Sequence, residues 1–172
     1  MRILRKVFAI LFALAVFAFG GCAFLQQPKT FSKAGASITL TNFFVEKEYV
    51  TMTAYYESPQ MIVTLLREDF TMLDGLEDWT LEEYTQTTID VNKLTGSKVA
   101  FSEDGYTYFE YTKEVSGNNY SYFATCHKTD NAFWLIQFGT LSKNYDKLSK
   151  TILKYAKTIT FDGVQNTPNV NV

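Results

Sequence analysis

Phe133-Trp134-Leu135-Ile136-Gln137-Phe138, at the centre of the run Ala132–Leu141, sets the architecture of this chain. Successive side chains of an extended strand point to opposite faces. Trp134, Ile136 and Phe138 therefore share one face, and Phe133, Leu135 and Gln137 share the other. Both faces are largely apolar, and a strand of that kind lies in a sheet covered on both sides. The pattern calls for a helix against each face.

The neighbouring segments read as further strands. Val99–Ser102, Tyr106–Ser116 and Asn119–Lys128 precede the central run, with turns at Glu103-Asp104-Gly105, Gly117-Asn118 and Asp130-Asn131. Gly117-Asn118 as a two-residue loop suits a type II′ turn, with glycine supplying the positive φ at the first position. That register places Val115, Lys113, Tyr111 and Phe109 opposite Tyr120, Tyr122, Ala124 and Cys126, and His127 across from Tyr108. Nearer the N-terminus, Gly35 separates Thr30–Lys33 from Ala36–Leu40. Tyr49–Tyr56 and Gln60–Glu68, rich in Val, Ile, Thr and Tyr and broken at Ser58-Pro59, form a second hairpin.

Two helices complete the order. Thr80-Leu81-Glu82-Glu83 is a capping box, with Trp79 and Tyr84 placed as a hydrophobic staple. Leu81, Tyr84, Thr88, Val91 and Leu94 recur at helical spacing, and Gly96 ends the helix. The second helix follows Ser142 as its cap and turns Tyr145, Leu148, Ile152 and Tyr155 inward; Thr158–Phe161 is a closing strand. Tight hairpins in place of helical crossovers make the sheet mainly antiparallel. The fold class is α+β, an α/β/α sandwich in one domain over residues 30–162, followed by a frayed, disordered tail over 163–172.

The N-terminus reads as an address. Met1-Arg2-Ile3-Leu4-Arg5-Lys6 carries three cations, and Val7–Phe19 is uncharged. A basic start, a short apolar core and small residues at a cut make a secretory signal peptide over residues 1–21. The apolar run falls short of the roughly 20 residues that a spanning helix needs. Phe19-Gly20-Gly21-Cys22 resembles the lipobox of bacterial lipoproteins, which implies that Cys22 is acylated and holds the chain to a lipid bilayer. Phe19 stands where the lipobox usually has Leu. Residues 22–29 then form the lipidated cysteine and a short tether. The location implied is a bacterial cell membrane, on its extracytoplasmic side.

Charge narrows the partners. The chain has 16 Lys and Arg against 18 Asp and Glu; losing Arg2, Arg5 and Lys6 with the signal leaves 13 cations and a net charge of −5. No basic stripe for nucleic acid exists. The acids concentrate instead in Glu68, Asp69, Asp74, Glu77, Asp78, Glu82 and Glu83, a segment with no Lys or Arg. Asp74-Gly75-Leu76-Glu77-Asp78 lacks the alternating ligand register of a calcium loop. Glu82 and Glu83 are explained by the helix dipole, so no metal and no cofactor is expected.

Catalytic sets are equally scarce. His127, the one histidine, neighbours Cys126 in a strand, so their side chains point apart and form no dyad. With Cys22 acylated, Cys126 has no disulfide partner and reads as a buried core thiol.

The Gly35–Leu40 opening, the acidic segment leading into a capped helix, the Phe133–Phe138 strand and the closing helix over Tyr145–Ile159 together resemble the PsbP-like fold. The likeness covers Lys29 to Asp162. It implies a binding or assembly protein without catalysis.

The functional expectation is a membrane-anchored, non-catalytic domain that binds a protein partner or envelope component. The Glu68–Glu83 segment supplies the contact: Leu73 and Leu76 the apolar part, and Asp74, Glu77 and Asp78 the orienting charge. Two rivals stand beside it: a small-ligand sensor with a pocket between helix and sheet, and a hydrolase built on paired carboxylates.

Overall fold

The computed structural model describes residues 26–162. Cys22, the signal segment and residues 163–172 lie outside the described residues.

Among the described residues, ten strands form two antiparallel sheets. A three-stranded sheet orders β1 (Pro28–Lys33), β2 (Ala36–Thr41) and β10 (Thr160–Phe161) with β2 in the middle. The seven-stranded sheet contains β3 (Val45–Lys47), β4 (Ala54–Glu57), β5 (Ile62–Asp69), β6 (Ala100–Phe101), β7 (Thr107–Val115), β8 (Asn118–Lys128) and β9 (Ala132–Leu141), in the order β3-β4-β5-β9-β8-β7-β6. The closing strand pairs with β2 and so belongs to the smaller sheet. β1 begins at Pro28, within the expected tether.

As its pattern requires, β9 sits in the middle of the large sheet with covered faces. Trp134, Ile136 and Phe138 pack with Ile38 and Leu40 of β2 and with Ile152 and Ala156 of helix α2 (Ser142–Ala156). Phe133 and Leu135 pack on the other side with Tyr84 and Ile89 of helix α1 (Leu81–Val91). Ile136 and Phe138 are wholly buried, and each such side chain contributes roughly 1.5–3 kcal/mol. Gln137, the polar member of the strand, is satisfied by the Tyr111 hydroxyl, which donates to it at 2.5 Å. Gly139 admits the Tyr122 ring, which lies flat on Tyr111 with centroids 4.6 Å apart.

The capping box at Thr80 is formed as read: the Glu83 amide donates to the Thr80 hydroxyl at 3.1 Å, and the Thr80 amide donates to the Glu83 carboxylate at 2.8 Å. The Thr80 amide first, and then the Thr80 hydroxyl, which donates to the same carboxylate at 2.8 Å, hold the Glu83 carboxyl below its usual range.

Several details differ from the expectations. Helix α1 stops at Val91 and not at Leu94, because the Asn92 side chain donates to the Thr88 carbonyl and Lys93 turns left-handed at φ 55°. The β7–β8 loop is Ser116-Gly117, with φ 51° and 77°. Two positive φ values make a type I′ turn, whose twist matches the strands. Val115 therefore faces Asn118, Tyr111 faces Tyr122 and Phe109 faces Ala124. The slip is two residues, so every side chain keeps its face. Tyr49–Thr53 is a loop, and β3 is an extra edge strand. Ser142 is the first residue of α2, preceded by Leu141, which has no capping side chain; its hydroxyl instead accepts from Ser121 at 2.9 Å.

Candidate functional site

Of the groups with intrinsic reactivity, Cys126 is fully buried and His127 is half-buried among aromatic rings. The slipped register puts His127 beside Tyr106, not Tyr108: its ring lies 5.1 Å from Tyr106 and 5.1 Å from Phe161, with Nε2 3.0 Å from the Thr125 hydroxyl. Enclosure by these rings pushes its pKa down to about 3, so the imidazole is neutral at physiological pH. Cys126 is fully buried under α1, beside Thr85 and Thr107, whose hydroxyls are 2.5 Å apart. Burial pushes the thiol up to about 12, well away from the thiolate that reacts.

Glu68, the first acid of the segment, also points inward. It is 2 % exposed, and the Tyr84 hydroxyl donates to its carboxylate at 2.5 Å. Desolvation raises its pKa, with the Tyr84 bond acting in the opposite direction. Glu68 joins β5 to α1 through the core and takes no part in the surface.

Beyond Asp69 the chain makes two short 3₁₀ turns, Phe70–Met72 and Leu76–Asp78. Gly75 between them has φ 80°, which reverses the chain. The turns sort the proposed contact residues. Asp74, Glu77 and Asp78 are exposed, and Leu73 is half-buried against the core. Leu76 is 3 % exposed and packs with Tyr84 and Ile89. The expectation that Leu76 offers surface contact is therefore corrected: it is the plug that seats the segment on the core. The exposed apolar side chain here is Met72, at 53 %.

A cation missing from the segment's own sequence arrives from β8. Lys128 donates to the carbonyls of Glu77 and Trp79, at 2.7 Å each, and its ammonium lies 5.5 Å from the Phe70 ring. The Phe70 amide donates to the Asn131 carbonyl at 3.0 Å. The acidic segment is thus fastened at both of its turns.

Next to it, between the ends of the two sheets, opens a cleft of about 120 Å³. Trp134 and Phe161, 5.3 Å apart, form its aromatic floor. Arg67, Asp130, Asn131 and Asp162 stand around it. The Arg67 guanidinium lies 5.8 Å over the Trp134 ring and is paired with Asp69 at 2.6 Å. The Asp162 amide donates to the Gly35 carbonyl at 2.8 Å, which fixes the cleft's far wall. Gly35, Trp134, Phe161 and the Asp130-Asn131 turn stand out in the sequence as parts of separate elements, and nothing local to any of them announces the cleft. Among the described residues, no group of three or more His, Cys, Asp or Glu is placed to hold a metal, and no helix is long and apolar enough to cross a membrane.

No family model and no curated protein sequence matches this chain. Solved structures do match it. The solution structure of cyanobacterial PsbP (CyanoP) from Synechocystis superposes with a TM-score of 0.56 at 11 % identity, over 84 % of this chain and 98 % of that one. The Saccharomyces cerevisiae Ran-binding protein Mog1p gives 0.54 at 7 % identity, over 80 % and 96 %. A Bacteroides thetaiotaomicron protein gives 0.57 at 14 % identity, over 81 % of this chain and 51 % of that one. Identities this low speak for the fold alone. With two helices on opposite faces of a mainly antiparallel sheet, this domain has the PsbP-like fold.

Proposed function

We propose that this chain is a non-catalytic binding domain, anchored to the outer side of a bacterial membrane through acylated Cys22, that captures a protein partner with its Asp69–Asp78 segment. The carrying observation is the way that segment is held. Leu76 and Lys128 fasten it to the core, and the fastening presents Met72, Asp74, Glu77 and Asp78 outward on a fixed frame. A rigid acidic surface with an apolar member orients an incoming partner and speeds its encounter. The burial of Cys126 and Glu68, with His127 half-buried between aromatic rings, further favours binding over catalysis. Mog1p, of like fold, is a Ran-binding protein.

The test is capture. The full chain, displayed in its own membrane and cross-linked, is compared with the triple variant Asp74→Asn, Glu77→Gln, Asp78→Asn. The variant should recover the cross-linked partner several-fold less well, and capture should lose most of its salt dependence. All three side chains are exposed, so the melting temperature should stay within about 1 °C of the parent. Undiminished capture by the variant would reduce the segment to a connector.

A further inference from the structure

We propose that the cleft between the two sheets is a socket for one basic side chain, the ammonium or guanidinium group of a lysine or arginine. Its size suits such a group: about 120 Å³ holds the head of a side chain, whereas pockets for drug-sized ligands run from roughly 300 to 1,000 Å³. Its charge suits it as well. The one cation of the cleft, Arg67, is already matched by Asp69 at 2.6 Å. Asp130 and Asp162 have no ion-pair partner among the described residues, which leaves two negative charges at the rim. Trp134 is 2 % exposed and lies beneath the Arg67 guanidinium, so the aromatic face left to an incoming planar cation is that of Phe161. Phe161, half-buried with its ring 5.3 Å from that of Trp134, offers that face to a cation.

Other occupants fit less well. An anion would meet two carboxylates against a guanidinium that is already neutralised. A hard metal ion wants six to eight converging oxygens, and the rim brings together no third Asp or Glu near Asp130 and Asp162. The cleft also adjoins the proposed contact segment, because the Phe70–Asn131 backbone bond joins their edges. A partner lying on the segment would reach the cleft with a side chain. The source of the cation rests on the protein-binding reading above; the socket itself can be measured with no partner present.

The experiment is an NMR titration of the isotope-labelled full chain in detergent micelles with N-acetyl-arginine amide. The neutral isostere N-acetyl-citrulline amide and inorganic phosphate serve as the contrasting probes. The arginine probe should give saturable shifts at the Gly35, Asn131 and Asp162 amides and at the Trp134 indole. The double variant Asp130→Asn, Asp162→Asn should weaken that binding about tenfold or more, as expected on losing charge-assisted hydrogen bonds. Both positions are exposed, so circular dichroism and melting temperature report an intact fold. Equal shifts from the citrulline probe, shifts from phosphate at the same amides, or an unaffected double variant would each overturn the socket. If the socket fails while the triple segment variant still loses capture, the binding function stands without it. If the socket binds its probe while that variant captures normally, the reverse holds.

Discussion

Replacing Gly139 by alanine tests the packing of the central sheet at its tightest point. A Cβ built on Gly139 would lie 2.9 Å from Tyr122 Cδ1, closer still to Cε1, and 3.0 Å from Ile62 Cγ1. The backbone there is ordinary strand, so the substitution carries no φ penalty and the cost is steric. The Tyr122 ring has little freedom to retreat, because it is stacked on Tyr111 with an interplanar angle of 8°. Overpacking of this kind costs about 1–3 kcal/mol. Restricting the unfolded chain returns about 0.4–1 kcal/mol. The net destabilisation is then about 1–2 kcal/mol, or a melting-temperature fall of roughly 3–6 °C for a domain of this size. Urea denaturation followed by tryptophan fluorescence reads it as a lower midpoint at constant slope. In a Tyr122→Ala background the same change should be neutral or slightly stabilising, which isolates the ring contact as a coupling energy. A Gly139→Ala protein with an unchanged or higher midpoint would refute the argument.

Two other outcomes follow from the structure and the proposal. His127 has a folded pKa near 3 against an ordinary value of 6.5; the unfolded chain binds the proton more readily, so the stability this residue contributes is full above about pH 6.5 and falls as pH drops toward 3. Its ring-proton NMR shifts should therefore stay flat from about pH 8 to about pH 5 while the protein is folded, and a native-state inflection near 6.5 would contradict its enclosure. Cys22→Ala should move the protein from the membrane to the soluble fraction with an unaltered melting temperature, and persistent membrane association would remove the proposed anchor.

What the sequence made legible was whatever a single segment determines. The two apolar faces of Phe133–Phe138 announced a sheet covered on both sides, and Thr80-Leu81-Glu82-Glu83 announced the start of α1 through its own hydrogen bonds. The β7–β8 register needed a choice between two overlapping glycine turns. Both primed turns suit the right-handed twist of the strands, so the local residues leave the choice open; the faces came out right and the pairing two residues off. Leu76 looked like a surface residue because its neighbours are acids; a single 3₁₀ turn directs that one side chain inward and leaves the acids outside. The cleft had no local signature at all, since Gly35, Arg67, Asn131 and Asp162 come from four separate places in the chain. The clamp at Lys128 was hidden for the same reason: it is 51 residues from the carbonyl of Glu77 that it holds.

The position of β2 between β1 and β10 gives the domain a mechanical character. Pro28, where β1 begins, pairs with Thr41 at one end of β2, and Phe161, where β10 ends, pairs with Ala36 at the other. A pull applied to the two ends of the domain is therefore directed along the strands of the small sheet, over a span of roughly 17 Å. Under that load the backbone bonds across β2 are sheared together and must yield nearly at once, whereas a pull across the strands would unzip them one after another. The pairing that closes the fold thus also makes it resist being drawn out lengthwise.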